Sequence, residues 1–334
     1  MNWENSFLNW FAVQGIPMSE KVAALGEFRY FQFSSILDGV EGKPLFAYGC
    51  SPNRRSAAIK CAAEAMERKF LDEFYFSSTS PISATSIRLL PESLEPLGSD
   101  TITLPPKGMK TSNGWAVHSS ADQASISACL EALERHLLIK SFYRWGWKGF
   151  RLVKEEQSEE IQLFYMTSRL SSAGYTGGIV AAKSPLYPGV SFGYCVGRTE
   201  NISEPSFWQT ALLESIGKIT ALGGRSIEIR EDSNTWLRTE AKYYLETPFD
   251  LKLLAQGTNL TVDDDDARTC YLKVFDLAEL WQLSFPLAAA FCWGGNLIPL
   301  SDQSKLDEVG EQYFRATLAA NELPPSVPMR HPIL

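Results

Sequence analysis

The 334-residue sequence predicts a mixed α/β (α+β) domain, and three observations support this fold class. Long helical patterns near residues 51–74, 120–145 and 205–222 alternate with shorter strand patterns. Hydrophobic residues make up 45% of the chain, which is enough for a substantial core. Charged residues account for 21%, a share typical of globular proteins. Interleaved helices and strands favour a mixed domain over a helix bundle or a β-sandwich.

The first two long helices flank a segment rich in proline. We expect the first helix to begin at Ser51 as N-cap, with Pro52 as its first residue. The second helix is predicted to begin at Ser120, because its spacing from Gln123 fits a capping box. Between them, five prolines indicate loops with at most short strands. They are Pro81, Pro91, Pro96, Pro105 and Pro106.

The second half of the chain is predicted to combine helices with paired strands. Residues 156–173 have a helix-like pattern, and residues 174–183 and 189–199 read as two strands joined by a turn. A third strong helix is expected at about 205–222, where glycines end the pattern. Two further strands are predicted at 268–275 and 285–293, followed by a final helix at about 303–321.

Composition argues against several classes of function. The net charge of −8, with no basic run longer than Arg54-Arg55, argues against nucleic acid as the main partner. The first residues do not resemble a secretory signal, and the most apolar window, which begins at Phe285, is too short to span a membrane. We therefore expect a cytoplasmic protein. The six cysteines lie far apart without a C-x-x-C pair, so reduced and mostly buried thiols are expected rather than a metal site.

A short acidic motif occurs twice, 67 positions apart. Glu64, Glu67 and Arg68 recur as Glu131, Glu134 and Arg135, and several apolar positions repeat in the same register. This agreement indicates two related helix units in one fold. Residues three apart share a helix face, so each copy presents two carboxylates together. If the helices pack side by side, four carboxylates converge and require cations.

The repeated motif allows two interpretations. A cluster of carboxylates suits Mg²⁺, which commonly bridges carboxylates to nucleotide phosphates, and the two arginines would then address phosphate. Alternatively, the motif is an ordinary solvated helix face. A di-iron site is less favoured, because neither copy has a histidine three residues after its glutamate. The residues alone thus suggest a magnesium–nucleotide site.

The run "SNGWAVHSSADQASISACLEALERH" at 112–136 resembles the YcaO family, whose members use ATP to activate peptide backbone amides. The segments "ALLESIGKITALGGRSIEIRED", "FPLAAAFCWGG" and the proline-bearing end are also similar. The resemblance covers residues 45–334. It implies a single YcaO-like domain over 1–334 with an internally repeated helix unit and mixed sheets. Residues 1–44 then form a weakly matched N-terminal segment, and 323–334 a proline-bearing C-terminal tail.

The resemblance also implies roles for individual residues. Four glutamates would hold Mg²⁺: Glu64, Glu67, Glu131 and Glu134. A second group would contact ATP: Lys60, Arg68, Asn113, Ser127, Arg135, Glu214 and Arg230. Several positions depart from the family pattern, since Cys50 replaces a lysine, Lys60 a serine and Ser127 a glutamine, while Gly217 and Ile219 replace a glutamine and an arginine. The resemblance places these departures at positions that bind nucleotide in the family.

The activity implied by the resemblance is a cyclodehydratase-type modification of a ribosomally made peptide. The amide oxygen is phosphorylated by ATP, and the product is an azoline, a thioamide or an amidine. No residue of this chain is assigned as a covalent catalyst. We expect a peptide substrate, a leader-peptide-binding or E1-like partner protein, and a possible homodimer. Two rival hypotheses are a non-catalytic subunit that keeps the fold as a scaffold, and a solute-binding module without nucleotide.

Overall fold

The structure is a computed structural model that describes most of the chain. The described residues are 3–25, 27–39, 42, 44–75, 82–102, 104, 113–222, 244–245, 247–255, 257, 260–264, 268–294, 297–298 and 308–323. Within them, no helix combines the length and apolar character that a bilayer crossing requires.

The first part of the chain forms a three-stranded antiparallel sheet with two helices. Helix α1 spans Trp3–Val13, strands β1, β2 and β3 span Met18–Leu25, Phe28–Asp38 and Pro44–Ser51, and α2 spans Arg54–Phe70. The strand order is β1-β2-β3. Helix α2 packs on β2 and β3 and also contacts α1, so residues from the 1–44 segment share a core with α2.

A second sheet joins strands from both halves of the chain. Strands β4 (Ile82–Leu89), β5 (Leu94–Ile102) and β6 (Trp115–His118) precede the long helix α3 (Ala121–Trp145). The antiparallel order is β5-β4-β12-β13-β6, where β12 is Thr269–Asp276 and β13 is Ala288–Trp293. The short helix α5 (Leu277–Leu280) lies between these last two strands. Helix α3 packs across β6, β12 and β13.

The third sheet is formed by the middle of the chain. Strands β7 (Phe150–Gln157), β8 (Gln162–Ser172), β9 (Tyr175–Lys183) and β10 (Ser191–Arg198) pair in antiparallel fashion, and β11 (Val262–Asp263) joins β8 in parallel. Helix α4 (Pro205–Leu222) packs on β9 and β10, and α6 is Glu308–Ala320. Helix α3 also contacts β8 and β9, so it lies between the second and third sheets.

Three sequence predictions about elements were wrong. Residues 156–173 are the end of β7 and the strand β8 rather than a helix, because β8 is paired on both edges and most of its residues are buried. Helix α2 begins after Asn53 rather than after Ser51: the Asn53 side chain is the N-cap and accepts from Ser56 N–H. Ser51 Oγ instead accepts from Asn53 N–H. The proline-rich segment contains β4 and β5, which are not short strands.

The other element predictions that the described residues cover are confirmed. Helix α3 is capped by Ser120, which accepts from Gln123 N–H, and α4 spans the predicted residues. Strands β9, β10, β12 and β13 occupy the predicted segments. The mixed α/β class predicted from the sequence is therefore correct. The tail beyond Leu323 lies outside the described residues.

Candidate functional site

Acidic side chains from three helices come together in one region of the molecule. We call this group the carboxylate cluster: Glu64 and Glu67 on α2, Glu131 and Glu134 on α3, and Glu214 on α4. Charges act between the helices, because Glu64 and Glu131 each raise the pKa of a carboxyl on the other's helix, and Glu214 raises that of Glu134. The structure thus places glutamates that are up to 150 positions apart in the sequence near enough for their charges to interact.

A close contact between β3 and α2 positions the first two glutamates. A Cβ added at Gly49 would lie 2.2 Å from Ala57 O and 2.4 Å from Cys61 N, so only glycine permits this approach. The neighbouring Tyr48 N–H then donates to Glu64 Oε2 at 3.1 Å. Glu64 Oε1 also accepts from Arg68 Nη2 at 3.2 Å. Backbone and side-chain donors together therefore hold Glu64.

The third helix contacts β10 in a similar way. A Cβ at Gly193 would lie 1.9 Å from Ala211 O, so α4 lies directly on the strand. Tyr194 N–H donates to Glu214 Oε2 at 2.9 Å, and Lys218 Nζ lies 2.9 Å from Glu214 Oε1. Lys218 Nζ also donates to Phe192 O at 2.8 Å. These bonds fix one end of the carboxylate cluster to the third sheet.

Burial makes three members of the carboxylate cluster, Glu67, Glu131 and Glu134, reluctant to ionise. Removal from water is the main cause that raises the pKa of Glu67 well above its ordinary value, although nearby Arg68 opposes it. Burial likewise raises the pKa of Glu131 to about 8 and that of Glu134 to about 7, with Arg135 opposing in both cases. Neighbouring carboxylates add to each shift. These three carboxyl groups therefore favour the protonated form at neutral pH unless a further cation comes close.

Arg135 has donors that the described residues do not satisfy. Its Nη1 lies 3.3 Å from Glu134 Oε1, and its guanidinium lies 5.2 Å from the centre of the Tyr194 ring. Nevertheless the buried Nε and Nη1 atoms make no hydrogen bond within the described part of the chain. Burial lowers the pKa of Arg135, but the surrounding glutamates outweigh that effect and raise it overall. Arg135 therefore stays charged and can donate to an additional acceptor.

The remaining residues predicted to form the site lie around this centre or outside the described region. Lys60 and Ser127 are exposed, each one helical turn before Glu64 and Glu131 respectively. Asn113 is half-buried in the turn that precedes β6, next to Gly114 with φ of 75°. Arg230 lies outside the described residues.

The overall architecture has a counterpart among solved structures. The chain aligns with YcaO from Methanopyrus kandleri, a structure bound with AMPPCP and Mg²⁺, at a TM-score of 0.50 and 12% identity. The alignment covers 91% of this chain and 96% of that chain. This protein has the YcaO fold. The YcaO-like fold expected from the sequence is thus confirmed.

Two larger structures show weaker similarity. A heterocyclase in complex with substrate and cofactor aligns at a TM-score of 0.45 and 11% identity over 86% of this chain and 51% of that chain. The heterocyclase TruD aligns at a TM-score of 0.35 and 11% identity over 74% of this chain and 39% of that chain. This chain spans about half or less of those proteins. No family model and no curated protein matches the sequence.

Two side chains of this site, Lys218 and Tyr194, were not predicted from the sequence. Lys218 pairs with Glu214, and its Nζ lies 4.8 Å from the Tyr194 ring centre. The Tyr194 ring thus contacts two cations, Arg135 and Lys218. The spacing of four residues between Glu214 and Lys218 on a helix could have predicted this ion pair from the sequence. Nothing in the sequence near Tyr194 indicated that β10 would lie beside α4.

Proposed function

We propose that this protein binds magnesium–ATP at the carboxylate cluster and uses it to activate backbone amides of a ribosomally made peptide. The YcaO fold supports this proposal, as does the AMPPCP and Mg²⁺ bound to the Methanopyrus kandleri protein. The proposed reaction is a cyclodehydration that forms an azoline, with thioamide or amidine formation as variants. A leader-peptide-binding or E1-like partner and a homodimer are part of the proposal.

One observation carries the proposal: the same site has carboxyl groups with raised pKa values and arginine nitrogens without a hydrogen-bond acceptor among the residues that the structure describes. Burial has raised the pKa of Glu131 to about 8, so a nearby cation is needed for this carboxyl to be fully ionised at neutral pH. At the same position, two buried nitrogens of Arg135 need an acceptor. A magnesium-bound polyphosphate provides the cation and the acceptor together. A lone divalent ion would leave the Arg135 donors unsatisfied.

The residues present fit such a group chemically. Oxygen ligands from Glu64, Glu67, Glu131 and Glu134 are of the type that Mg²⁺ prefers. Arg68 and Arg135 would donate to phosphate oxygens, and Glu214 would hold Lys218 beside them. Lys60, Asn113, Ser127 and Arg230 remain proposed nucleotide contacts. Bound ATP would supply the phosphoryl group that makes an amide oxygen a good leaving group.

The contribution of the chain itself is positioning and charge neutralisation. Such contributions dominate phosphoryl transfer, for which no protein nucleophile is required. Fixed side chains matter most for positioning, and Glu64 and Glu214 each accept a hydrogen bond from a backbone N–H of a strand. Arg68 and Arg135 stay charged because the glutamates around them raise their pKa. The attacking side chain would come from the peptide.

A non-catalytic scaffold subunit is the second candidate. It is favoured by ion pairs that already neutralise part of the cluster, Arg68–Glu64 and Lys218–Glu214. The departures at Cys50, Lys60, Ser127 and Ile219 also point this way. In that case the YcaO fold would persist without nucleotide turnover, and the protein would act by binding a partner enzyme.

A calorimetric ATP titration with and without Mg²⁺ separates the two candidates. The wild-type chain is expected to bind ATP only with Mg²⁺, and Glu131→Gln or Glu64→Gln should weaken binding by about tenfold or more. Glu311→Gln is the matched control, because Glu311 is an exposed helical glutamate paired with Arg315. Absence of ATP binding by the wild-type chain would favour the scaffold.

The cyclodehydratase reaction predicts loss of one water from a suitable peptide, measured by mass spectrometry.

A further inference from the structure

Three of the six cysteines meet at one point in the core. We call them the thiol cluster: Cys129 on α3, Cys270 on β12 and Cys292 on β13. Their three Sγ atoms lie within 4.8 Å of one another, and the Sγ atoms of Cys270 and Cys292 are 3.2 Å apart. All three residues are at most 3% exposed. The other cysteines belong to different parts of the core.

Backbone pairing fixes the positions of these sulfurs. In the β12–β13 register Cys292 lies opposite Leu272, so Cys270 is its diagonal neighbour. Cys292 N–H donates to Gly114 O at 2.8 Å, and a Cβ at Gly114 would lie 2.2 Å from Cys292 O. Helix α3 packs across both strands and brings Cys129 to the pair. The cluster therefore joins one helix to two strands of the second sheet.

The positions of Cys270 and Cys292 suit a shared metal ion better than a disulfide between them. Diagonal residues of neighbouring strands have Cα atoms about 7–8 Å apart. A disulfide needs about 4.4–6.8 Å, so bridging Cys270 to Cys292 would require backbone movement. By contrast, a metal–sulfur distance of about 2.3 Å places three trigonal ligands about 4.0 Å apart. The observed Sγ separations, 3.2 Å for Cys270–Cys292 and at most 4.8 Å for the other two pairs, lie on either side of this value or close to it.

The surroundings select the kind of ion. Side chains packed around the cluster are apolar, including Ile87, Ala128, Leu133 and Ala290. Among the described residues, no carboxylate or histidine joins the three cysteines as a further ligand. Hard ions such as Mg²⁺ require oxygen ligands, whereas thiolates select soft ions such as Cu(I) and Zn²⁺. Structural Zn²⁺ usually takes four ligands, so a three-ligand site fits Cu(I) well.

We propose that Cys129, Cys270 and Cys292 form a three-thiolate site that binds one thiophilic d¹⁰ metal ion, Cu(I) or Zn²⁺. Binding displaces the thiol protons to solvent and leaves the oxidation state of sulfur unchanged. The bound ion cross-links α3 to β12 and β13. This site is separate from the carboxylate cluster and does not depend on the proposed function.

The test is an anaerobic titration of the reduced full chain with Cu(I) and, separately, with Zn²⁺. We expect one ion per chain by native mass spectrometry, thiolate-to-metal charge-transfer absorption, and a sulfur-only shell at about 2.3 Å by X-ray absorption. The arm that gives this signature identifies the ion. Cys129→Ser and Cys270→Ser should each weaken binding by at least about tenfold. Both variants are first checked for cooperative thermal unfolding.

Two control variants make the result specific. Cys61→Ser changes a fully buried thiol of α2 outside the cluster and should leave the stoichiometry and the absorption unchanged. Glu131→Gln should also preserve the sulfur signature, since that ligand set contains no carboxylate. Absence of both ions from the reduced wild-type chain would overturn the proposal. So would binding that survives in both folded cysteine variants, or a coordination shell of oxygen atoms.

Discussion

Arg135 occupies a position between acidic side chains and an aromatic ring. It lies beside Glu134 and over Tyr194, and its charge is supported by Glu131, Glu134 and Glu214. Two of its buried nitrogens make no hydrogen bond within the described residues. A buried donor without an acceptor costs about 1–3 kcal/mol. A ligand that supplies the acceptor recovers this energy.

Arg135→Lys tests the role of the planar guanidinium. Lysine keeps the positive charge near the glutamates, but it cannot present parallel donors to phosphate. We expect ATP affinity to fall by about tenfold or more, equivalent to about 1.4 kcal/mol, with little change in melting temperature. Calorimetry and thermal denaturation measure the two effects. Arg315→Lys, at an exposed pair with Glu311, is the control and should change neither. Unchanged ATP affinity would exclude Arg135 from phosphate binding.

The raised pKa values of Glu131 and Glu134 predict how stability depends on pH. The folded-state pKa values, about 8 and about 7, exceed the ordinary value of 4.5. Between pH 4.5 and 8 the folded chain therefore binds more protons than the unfolded chain. The free energy of unfolding therefore falls as pH rises from about 4.5 to 8. Without Mg²⁺, the melting temperature should decrease over this window.

Glu131→Gln should flatten part of that decrease, because glutamine is not charged at any pH. Mg²⁺ with ATP should stabilise the wild-type chain more at pH 8 than at pH 6, since binding requires ionised carboxylates. Thermal denaturation at several pH values measures both effects. A wild-type melting temperature that rises steadily through this window would contradict raised pKa values for these two glutamates.

At the scale of elements, two glycines near α4 have opposite surroundings. Gly193 on β10 touches the helix backbone, with 1.9 Å between an added Cβ and Ala211 O. Gly217 within α4 has no atom within 4 Å of an added Cβ. The first glycine is required for helix–strand contact, whereas the second only weakens the helix.

Gly193→Ala and Gly217→Ala therefore form a matched pair of substitutions. We expect Gly193→Ala to destabilise the chain by about 1–3 kcal/mol and to weaken ATP binding, because α4 and Glu214 must move from β10. Gly217→Ala should stabilise the chain by about 0.5–1 kcal/mol. Denaturant unfolding measures both changes. Equal effects of the two substitutions would show that the β10–α4 contact does not control stability.

Element prediction from the sequence succeeded where local signals were sufficient. The capping box at Ser120 fixed the start of α3, and the alternating runs that become β9 and β10 were recognisable. Strand β8 was missed because its residues are buried on both faces, so no alternating pattern marks it. The partners on its two edges, β7 and β9, decide its conformation. Such pairing is not visible in a local window.

At the scale of the whole molecule, α3 is held on a second face by a buried ionic group. Asp264 Oδ2 lies 2.9 Å from His136 Nε2 and 2.9 Å from Lys140 Nζ, and Ile298 N–H donates to His136 Nδ1 at 3.0 Å. Burial alone would raise the pKa of Asp264, but His136 and Lys140 outweigh it and lower the pKa to about 2. This group links α3 to the segment after β11.

Asp264→Asn should cost about 3–5 kcal/mol, because Lys140 is left buried without its counter-charge. The folded-state pKa of Asp264 is lowered, so the contribution of Asp264 to the free energy of unfolding is complete above about pH 4. This contribution disappears as pH falls toward 2. The substitution should therefore remove part of the acid destabilisation, measured by denaturant unfolding across pH. Adding Lys140→Met should recover part of the loss. A neutral effect of Asp264→Asn would show that the ion pair does not stabilise α3.

The site could be predicted from the sequence only in part. The duplicated motif predicted which glutamates face one way on α2 and α3, because helical spacing is a local property. The contribution of β10 through Tyr194 required the third sheet to lie beside α4. The thiol cluster was equally hidden, since Cys129 is 141 positions from Cys270. Contacts between distant segments depend on topology, which spacing does not reveal.

The three helices that supply the carboxylate cluster belong to different layers. Helix α2 packs on the first sheet, α3 lies between the second and third sheets, and α4 covers the third. A ligand held by glutamates of all three must couple these layers. Hydrogen exchange with and without magnesium–ATP tests this coupling. We expect slower amide exchange at 64–68, 131–135 and 214–218 together, and no change in α6, which serves as an internal control.

The same measurement on Glu67→Gln should show little added protection in any of the three helices, because the charge of Glu131 on α3 acts on Glu67 on α2 and a shared ligand would need both carboxylates. Protection confined to a single helix of the wild-type chain would contradict a ligand bound between layers. It would indicate instead that nucleotide binds on one helix face, and that the glutamates of the other helices only share its electrostatic environment.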